Sequence, residues 1–194
     1  MVENRCLKIV LIRHGKPMID DLEKITGSQL AEWVQRYNHA PIDPSCHPPL
    51  PLLTTVSSIR CIVTSPLRRS VESAKVLAPE LNHHVLFEAR EAELPTPRFV
   101  KIKMSARTWC ALSRLAWFIG WSAQTESLAQ ANVRAGIVVQ KLEALSRQEG
   151  SILLLGHGIM NSLIAQRLRA QGWKSLQVSG NGYWKFSEYT LYDQ

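Results

Sequence analysis

Apolar and polar positions follow two different periods along this chain. Cys6–Ile12 (CLKIVLI) is a short run of β-branched and apolar residues that stops at Arg13-His14-Gly15, the pattern of a buried strand entering a loop. Ile59–Thr64 predicts a second strand, Val85–Phe87 a short one, Ser151–Leu155 (SILLL) a near-continuous apolar one, and Trp184–Leu191 a last one. Between them the period becomes helical. Thr26-Gly27-Ser28-Gln29 fits a capping box for an amphipathic helix to about Tyr37. Ser65-Pro66 predicts a helix start with proline in its favoured first position, running to about Leu77 and stopping before Pro79. Arg107–Trp121 is a strongly apolar helix candidate with Trp109, Trp117 and Trp121 set around an expected core of Leu112, Leu115, Phe118 and Ile119. Ser127–Arg147 predicts a long helix stopped by Gly150, and Ile159, Met160, Leu163, Ile164 and Leu168 form the stripe of a further one. His39–Leu52, rich in proline, reads as a surface loop. Strands alternate with helices, and SILLL is apolar on both faces, so the pattern predicts an α/β sandwich with a largely parallel, buried sheet.

Composition narrows this. The 194 residues suit one domain with its own core, and 45% hydrophobic with 20% charged residues is ordinary globular usage. Met1–Arg13 does not read as a signal peptide, because Lys8 interrupts its apolar run and no small-residue cleavage site follows. No apolar stretch approaches the roughly 20 residues of a membrane-spanning helix, so a cytoplasmic protein without integral membrane association is expected. Cys6, Cys46, Cys61 and Cys110 form no CxxC pair and have no zinc-like spacing to histidine; reduced thiols are expected, with Cys6 and Cys61 in the core.

The net charge of +7 would suit nucleic acid, a membrane surface or a small anion. No RNP-like motif, zinc finger or extended basic run is present, so nucleic acid is not an expected partner. Leu94–Thr125 contains no acid but holds Arg98, Lys101, Lys103, Arg107 and Arg114.

Three predicted strand ends carry unusual polar groups: Arg13-His14-Gly15, Ser65-Pro66-Leu67-Arg68-Arg69 and Gly156-His157-Gly158. Each alone has an ordinary explanation, and Arg68-Arg69 would pass for a solvated helix face. If the strands are parallel, however, the three ends meet on one rim, where open α/β sheets bind ligands. Two imidazoles with two or three guanidiniums require an anion. Arginine forks match phosphate oxygens, and neutral histidine, its pKa lowered by neighbouring cations, can attack phosphorus.

On these residues the chain resembles the histidine phosphatase superfamily, the phosphoglycerate mutase-like enzymes. Leu11-Ile12-Arg13-His14-Gly15 looks like its Arg-His-Gly motif, Ser65–Ala74 like its second motif, and Leu155-Gly156-His157-Gly158 like its second histidine motif. Arg69 falls at the phosphate-binding position and Arg68 at a variable one. Ala89-Arg90-Glu91-Ala92-Glu93 is similar to the segment supplying the general acid, pointing to Glu91, with Glu88 and Glu93 as neighbours that could take its place. The chain departs from the pattern at Lys16-Pro17, at Ser70 and Ser73, and in lacking a glycine after the acid segment.

The resemblance implies a three-layer α/β/α fold with a helical capping insertion at about 92–125. It implies a metal-independent phosphomonoester hydrolase without cofactor, acting on a small anionic phosphomonoester. His14 would be the nucleophile, Arg13, Arg69 and His157 would bind the phosphoryl group, and Glu91 would be the acid. Lys101, Lys103 and Arg107 would lie on the lid. A phosphoryl-transferring mutase on the same site is the first alternative, although mutases of the family are usually longer chains. A non-catalytic anion- or protein-binding member is the second, but it would not need His14, Arg69, His157 and a glutamate together.

Overall fold

Burial of both faces of SILLL organises the molecule. The computed structural model describes residues 6–81, 83–180 and 182–192. The signal-peptide reading falls partly on residues 1–5, outside that range. In chain order the elements are β1 (Cys6–Arg13), β2 (Lys24–Thr26), α1 (Leu30–His39), α2 (Leu50–Val56), β3 (Cys61–Thr64), α3 (Arg68–Leu77), β4 (His83–Val85), β5 (Lys103–Ser105), α4 (Ala106–Phe118), α5 (Leu128–Glu149), β6 (Ser151–Gly156), α6 (Gly158–Ala170), β7 (Lys174–Val178) and β8 (Phe186–Tyr192).

The main sheet has six strands in the order β4-β3-β6-β1-β8-β7. From β4 to β1 the pairing is parallel, while β8 runs antiparallel to both β1 and β7. The fold is therefore mixed α/β with a mostly parallel central sheet flanked by helices. Alternate residues of β1 serve the two faces. Leu7, Ile9 and Leu11 join Val138, Leu142, Ile164 and Leu168 of α5 and α6, whereas Val10 and Ile12 join Leu52, Val56, Ala74 and Leu77 of α2 and α3. SILLL supplies Ile152 and Leu154 to the first cluster and Leu153 and Leu155 to the second, all 0% exposed, which is why it shows no alternation. No helix among the described residues is long and apolar enough to cross a membrane.

A third cluster sits outside the sandwich. Ile25, Leu30, Trp33, Ala106 and Trp109 pack together where α1 meets α4, beside a two-stranded antiparallel ribbon of β2 and β5. The Thr26 capping box is present and opens a 3-10 turn, Gly27–Gln29, that continues into α1. Trp109 is 6% exposed, and its indole N–H donates to the Ile25 carbonyl at 3.0 Å. Trp109→Ala is expected to cost about 3–5 kcal/mol, combining lost burial with a cavity. Urea denaturation checks this, and a change under about 1 kcal/mol would show that this cluster carries no weight.

Several expectations are corrected. Leu112, Leu115, Phe118 and Ile119 are exposed, and α4 instead buries Ala106, Trp109, Ser113 and Trp117. A helix with apolar side chains on more than one face takes its rotation from its largest groups, and Trp117 also donates its N–H to the Glu126 carbonyl. Trp121 is 40% exposed. Pro66 is not the first residue of α3, which starts at Arg68 with an extended Leu67 as N-cap; Ser65 instead folds its Oγ back to accept from the Leu67 N–H. The proline-rich loop gives way at Leu50 to α2, with Pro51 in its first turn. The strand placed at Val85–Phe87 is β4, two residues earlier, and Phe87 begins a 3-10 turn. All four cysteines are free thiols, but Cys6 is exposed because it begins β1 at the sheet's outer end. Cys61 is buried as expected.

Candidate active site

Strand register assembles the site. Arg13 of β1 pairs with Gly156 of β6, and Thr64 of β3 with Leu155, so the next residues, His14, His157 and Ser65, emerge on one rim. The predicted convergence is therefore observed. The His14 and His157 rings lie 5.0 Å apart between centroids. Gly15 lets the chain turn under Trp184, whose ring would lie 2.6 Å from a Cβ at that position.

His14 is 2% exposed, and its ring is fixed at both nitrogens. Nδ1 lies 2.7 Å from the Gly15 carbonyl, which can only accept, so Nδ1 carries the proton. Nε2 then holds the lone pair and accepts from Arg69 Nε at 3.1 Å. Arg69 is the buried first-turn residue of α3; its Nη1 donates to Asn38 Oδ1 at 2.9 Å, and its guanidinium lies over the Tyr37 ring. His157 is 0% exposed, with Nε2 2.6 Å from Ser65 Oγ and no partner for Nδ1 among the described residues. Arg13 lies over Tyr183, whose ring is 5.7 Å from that of His14.

Ser70 and Ser73, two departures from the family pattern, are buried ties. Ser73 Oγ accepts from Gly15 N–H, and Ser70 Oγ accepts from Ser65 N–H while donating to the Leu155 carbonyl. They lock α3, and with it Arg69, against both histidine-bearing strands.

The three glutamates separate cleanly. Glu91 reaches the first turn of α6, just past His157. Its Oε1 accepts from the Met160 and Ala92 N–H groups at 3.0 Å each, and its Oε2 accepts from Ile159 N–H at 3.3 Å. Its charge is felt at Arg69. Glu88 is spent on Lys141 at 2.8 Å, and Glu93 accepts from the Glu126 N–H. Lys101 and Lys103 are exposed, Arg68 pairs with Glu72, and Arg107 lies 3.6 Å from Asp21.

Tyr37, Asn38 and Tyr183, together with the Ser65–His157 contact, were not legible in the sequence. Asn38 lies in the last turn of α1 and Tyr183 in the loop before β8, so no strand-end signal marks them. The arrangement is a buried cationic cradle around one imidazole whose Nε2 lone pair faces a guanidinium, suited to receiving an anion that draws the guanidinium away and is then open to attack.

Burial, then the Arg69 guanidinium and more weakly Arg13, holds His14 well below the ordinary 6.5. Burial, then Arg69, His14 and Arg13, does the same to His157. Above pH 6.5 both the folded and the unfolded chain carry these imidazoles neutral. Below it the unfolded chain takes up protons that the folded chain refuses, so stability falls with acid by up to about 1.4 kcal/mol per pH unit for each histidine. Midpoints of urea denaturation between pH 7 and pH 5 should show this slope, and His14→Asn with His157→Asn should flatten it. An equal slope in that double variant would contradict the neutral assignment.

A model of the histidine phosphatase superfamily (branch 1) matches residues 52–193, which include the Ser65–Ala74 and His157 motifs. No curated protein sequence matches. Among solved structures, a mycobacterial glucosyl-3-phosphoglycerate phosphatase superposes with a TM-score of 0.64 at 18% identity, covering 96% of this chain and 91% of that one. The product of an open reading frame from Mycobacterium tuberculosis gives 0.61 at 14% identity over 97% and 96%. A phosphoserine phosphatase variant from Entamoeba histolytica gives 0.54 at 12% identity over 96% and 95%. At such identities these likenesses establish the fold alone.

Proposed function

The chain belongs to the histidine phosphatase superfamily, and from that premise we propose that it is a metal-independent phosphomonoester hydrolase working through a phosphohistidine on His14. The observation that carries this reading is the His14 tautomer: Nδ1–H is held by Gly15, and the Nε2 lone pair points to Arg69. An entering phosphoryl group takes the Arg69 N–H groups onto its oxygens, which uncovers Nε2 for attack. Arg13 and Nδ1 of His157, which has no partner among the described residues, supply further donors, so charge is neutralised by groups already in place.

In the first step the Nε2–P bond forms and the ester P–O bond breaks. The leaving alkoxide takes a proton from Glu91. Oε2 of Glu91, with its single long contact, is the oxygen free to carry that proton. In the second step water attacks phosphorus, Glu91 takes the water's proton, the N–P bond breaks, and inorganic phosphate leaves.

Release of inorganic phosphate from nitrophenyl and alkyl phosphates tests the reading. Turnover should survive exhaustive EDTA treatment and be inhibited by vanadate. Glu91→Gln should slow an alkyl phosphate about 10²-fold or more while slowing nitrophenyl phosphate far less, because a phenolate leaves with little protonation. Equal slowing of both would remove Glu91 from the acid role. Transfer of phosphate to an added phosphosugar without release of free phosphate would identify a mutase instead.

A further inference from the structure

A cavity of about 140 Å³ lies between α6 and the β1–β8 part of the sheet, on the face opposite α2 and α3. Its polar wall is formed by Arg13, Ser162, Arg169, Lys185, Ser187 and Tyr189, over an apolar floor that includes Leu11. Three cations reach it from three different places: the end of β1, the last turn of α6 and the loop before β8. Among the described residues no aspartate or glutamate lines it. Strand alternation explains the absence of Glu188, which lies between Ser187 and Tyr189. Its carboxylate points to the other face, where it binds Lys8 at 2.6 Å and Thr55. Arg169 has a bland role available, since a cation near a helix C-terminus is favourable. Here, however, it reaches back across the cavity to Tyr189 Oη at 3.5 Å. An anion placed among these three cations is attracted by each of them. The volume is several times the roughly 30 Å³ share of one water, enough for a phosphate or carboxylate group.

Arg13 also belongs to the His14 centre. It lies over Tyr183 and its charge acts on both His14 and His157. We propose that this cavity is an oxyanion-binding site, for a phosphate or carboxylate group, that shares Arg13 with the His14 centre. The group can arrive free, as inorganic phosphate, or as the second anionic group of a substrate. The binding claim does not depend on catalysis by His14; only the choice between these two sources does.

The test uses Arg169→Gln with Lys185→Gln, two exposed residues outside the catalytic set, with circular dichroism as the fold check and Lys185→Gln alone as the milder variant. Calorimetric titration with inorganic phosphate should give two equivalents per parent chain and one for the double variant, with the single variant weakening the second equivalent about tenfold. The kinetic arm compares alkyl phosphates ending in a carboxylate, over a series of chain lengths, with their methyl-ended counterparts. A selective loss of kcat/KM of about tenfold or more at one length assigns the site to the substrate's own anion. Loss of the second equivalent with no kinetic selectivity assigns it to a free oxyanion. One equivalent in the parent, or the same stoichiometry in parent and variants, overturns the proposal. An inactive parent that still binds two equivalents would sink the hydrolase reading alone.

Discussion

His14→Ala is expected to lower kcat for phosphomonoester hydrolysis by at least about 10⁴-fold, because removal of a covalent nucleophile leaves only binding and charge stabilisation. The rest of the cradle does not depend on that side chain. Arg69 keeps its bond to Asn38 and its place over Tyr37, and Gly15 keeps its bond to Ser73. Circular dichroism and the denaturation midpoint should therefore stay close to the parent's, and the variant should still bind inorganic phosphate. Residual turnover within tenfold of the parent would show that water, and not His14, attacks phosphorus.

Arg69→Ala is expected to cost about 10³-fold, the upper range for loss of one preorganised charge-stabilising donor. Arg69 touches His14 directly and is 2% exposed, so no water-filled channel replaces its charge at once. The same substitution removes a cation that depresses His14, so the imidazole should titrate closer to its ordinary value. Two readouts then move together: kcat falls, and the acid limb of kcat/KM against pH, which reports the free enzyme, shifts upward. Arg69→Lys should recover little, since an ammonium cannot bond His14 and Asn38 with one rigid planar group. A fall in rate with an unmoved acid limb would mean that Arg69 supports the fold around the site without tuning His14.

Most of the fold was legible because the central strands are short, apolar on both faces and punctuated by glycine. The histidines and Arg69 were legible for the same reason: each follows a strand whose end the hydrophobic pattern marks. What escaped had no local signal. Every residue of β7 is exposed, so it shows neither alternation nor an apolar run. In α4 more than one face offered apolar side chains, and periodicity cannot phase such a helix; indole hydrogen bonds and the fit of Trp109 and Trp117 did so. Prolines at 48, 49 and 51 spoke for a loop, although proline is also at home in a first helical turn, where α2 has Pro51. Tyr37, Asn38 and Tyr183 reach the site only because α1 and the loop before β8 fold over it. The resemblance already pointed to Glu91, but its contacts with α6, 68 and 69 residues further along the chain, are ones that no short-range pattern encodes.

A covalent phosphoryl group on His14 can be trapped directly. Enzyme turning over a good phosphomonoester is quenched in alkaline denaturant, digested and mapped by mass spectrometry. One phosphorylated peptide is expected, carrying an acid-labile, alkali-stable group at His14, that forms during turnover and disappears when substrate is exhausted. An unmodified His14 in enzyme quenched during a burst of product release, or a phosphoryl group found on another residue, would contradict covalent catalysis by His14.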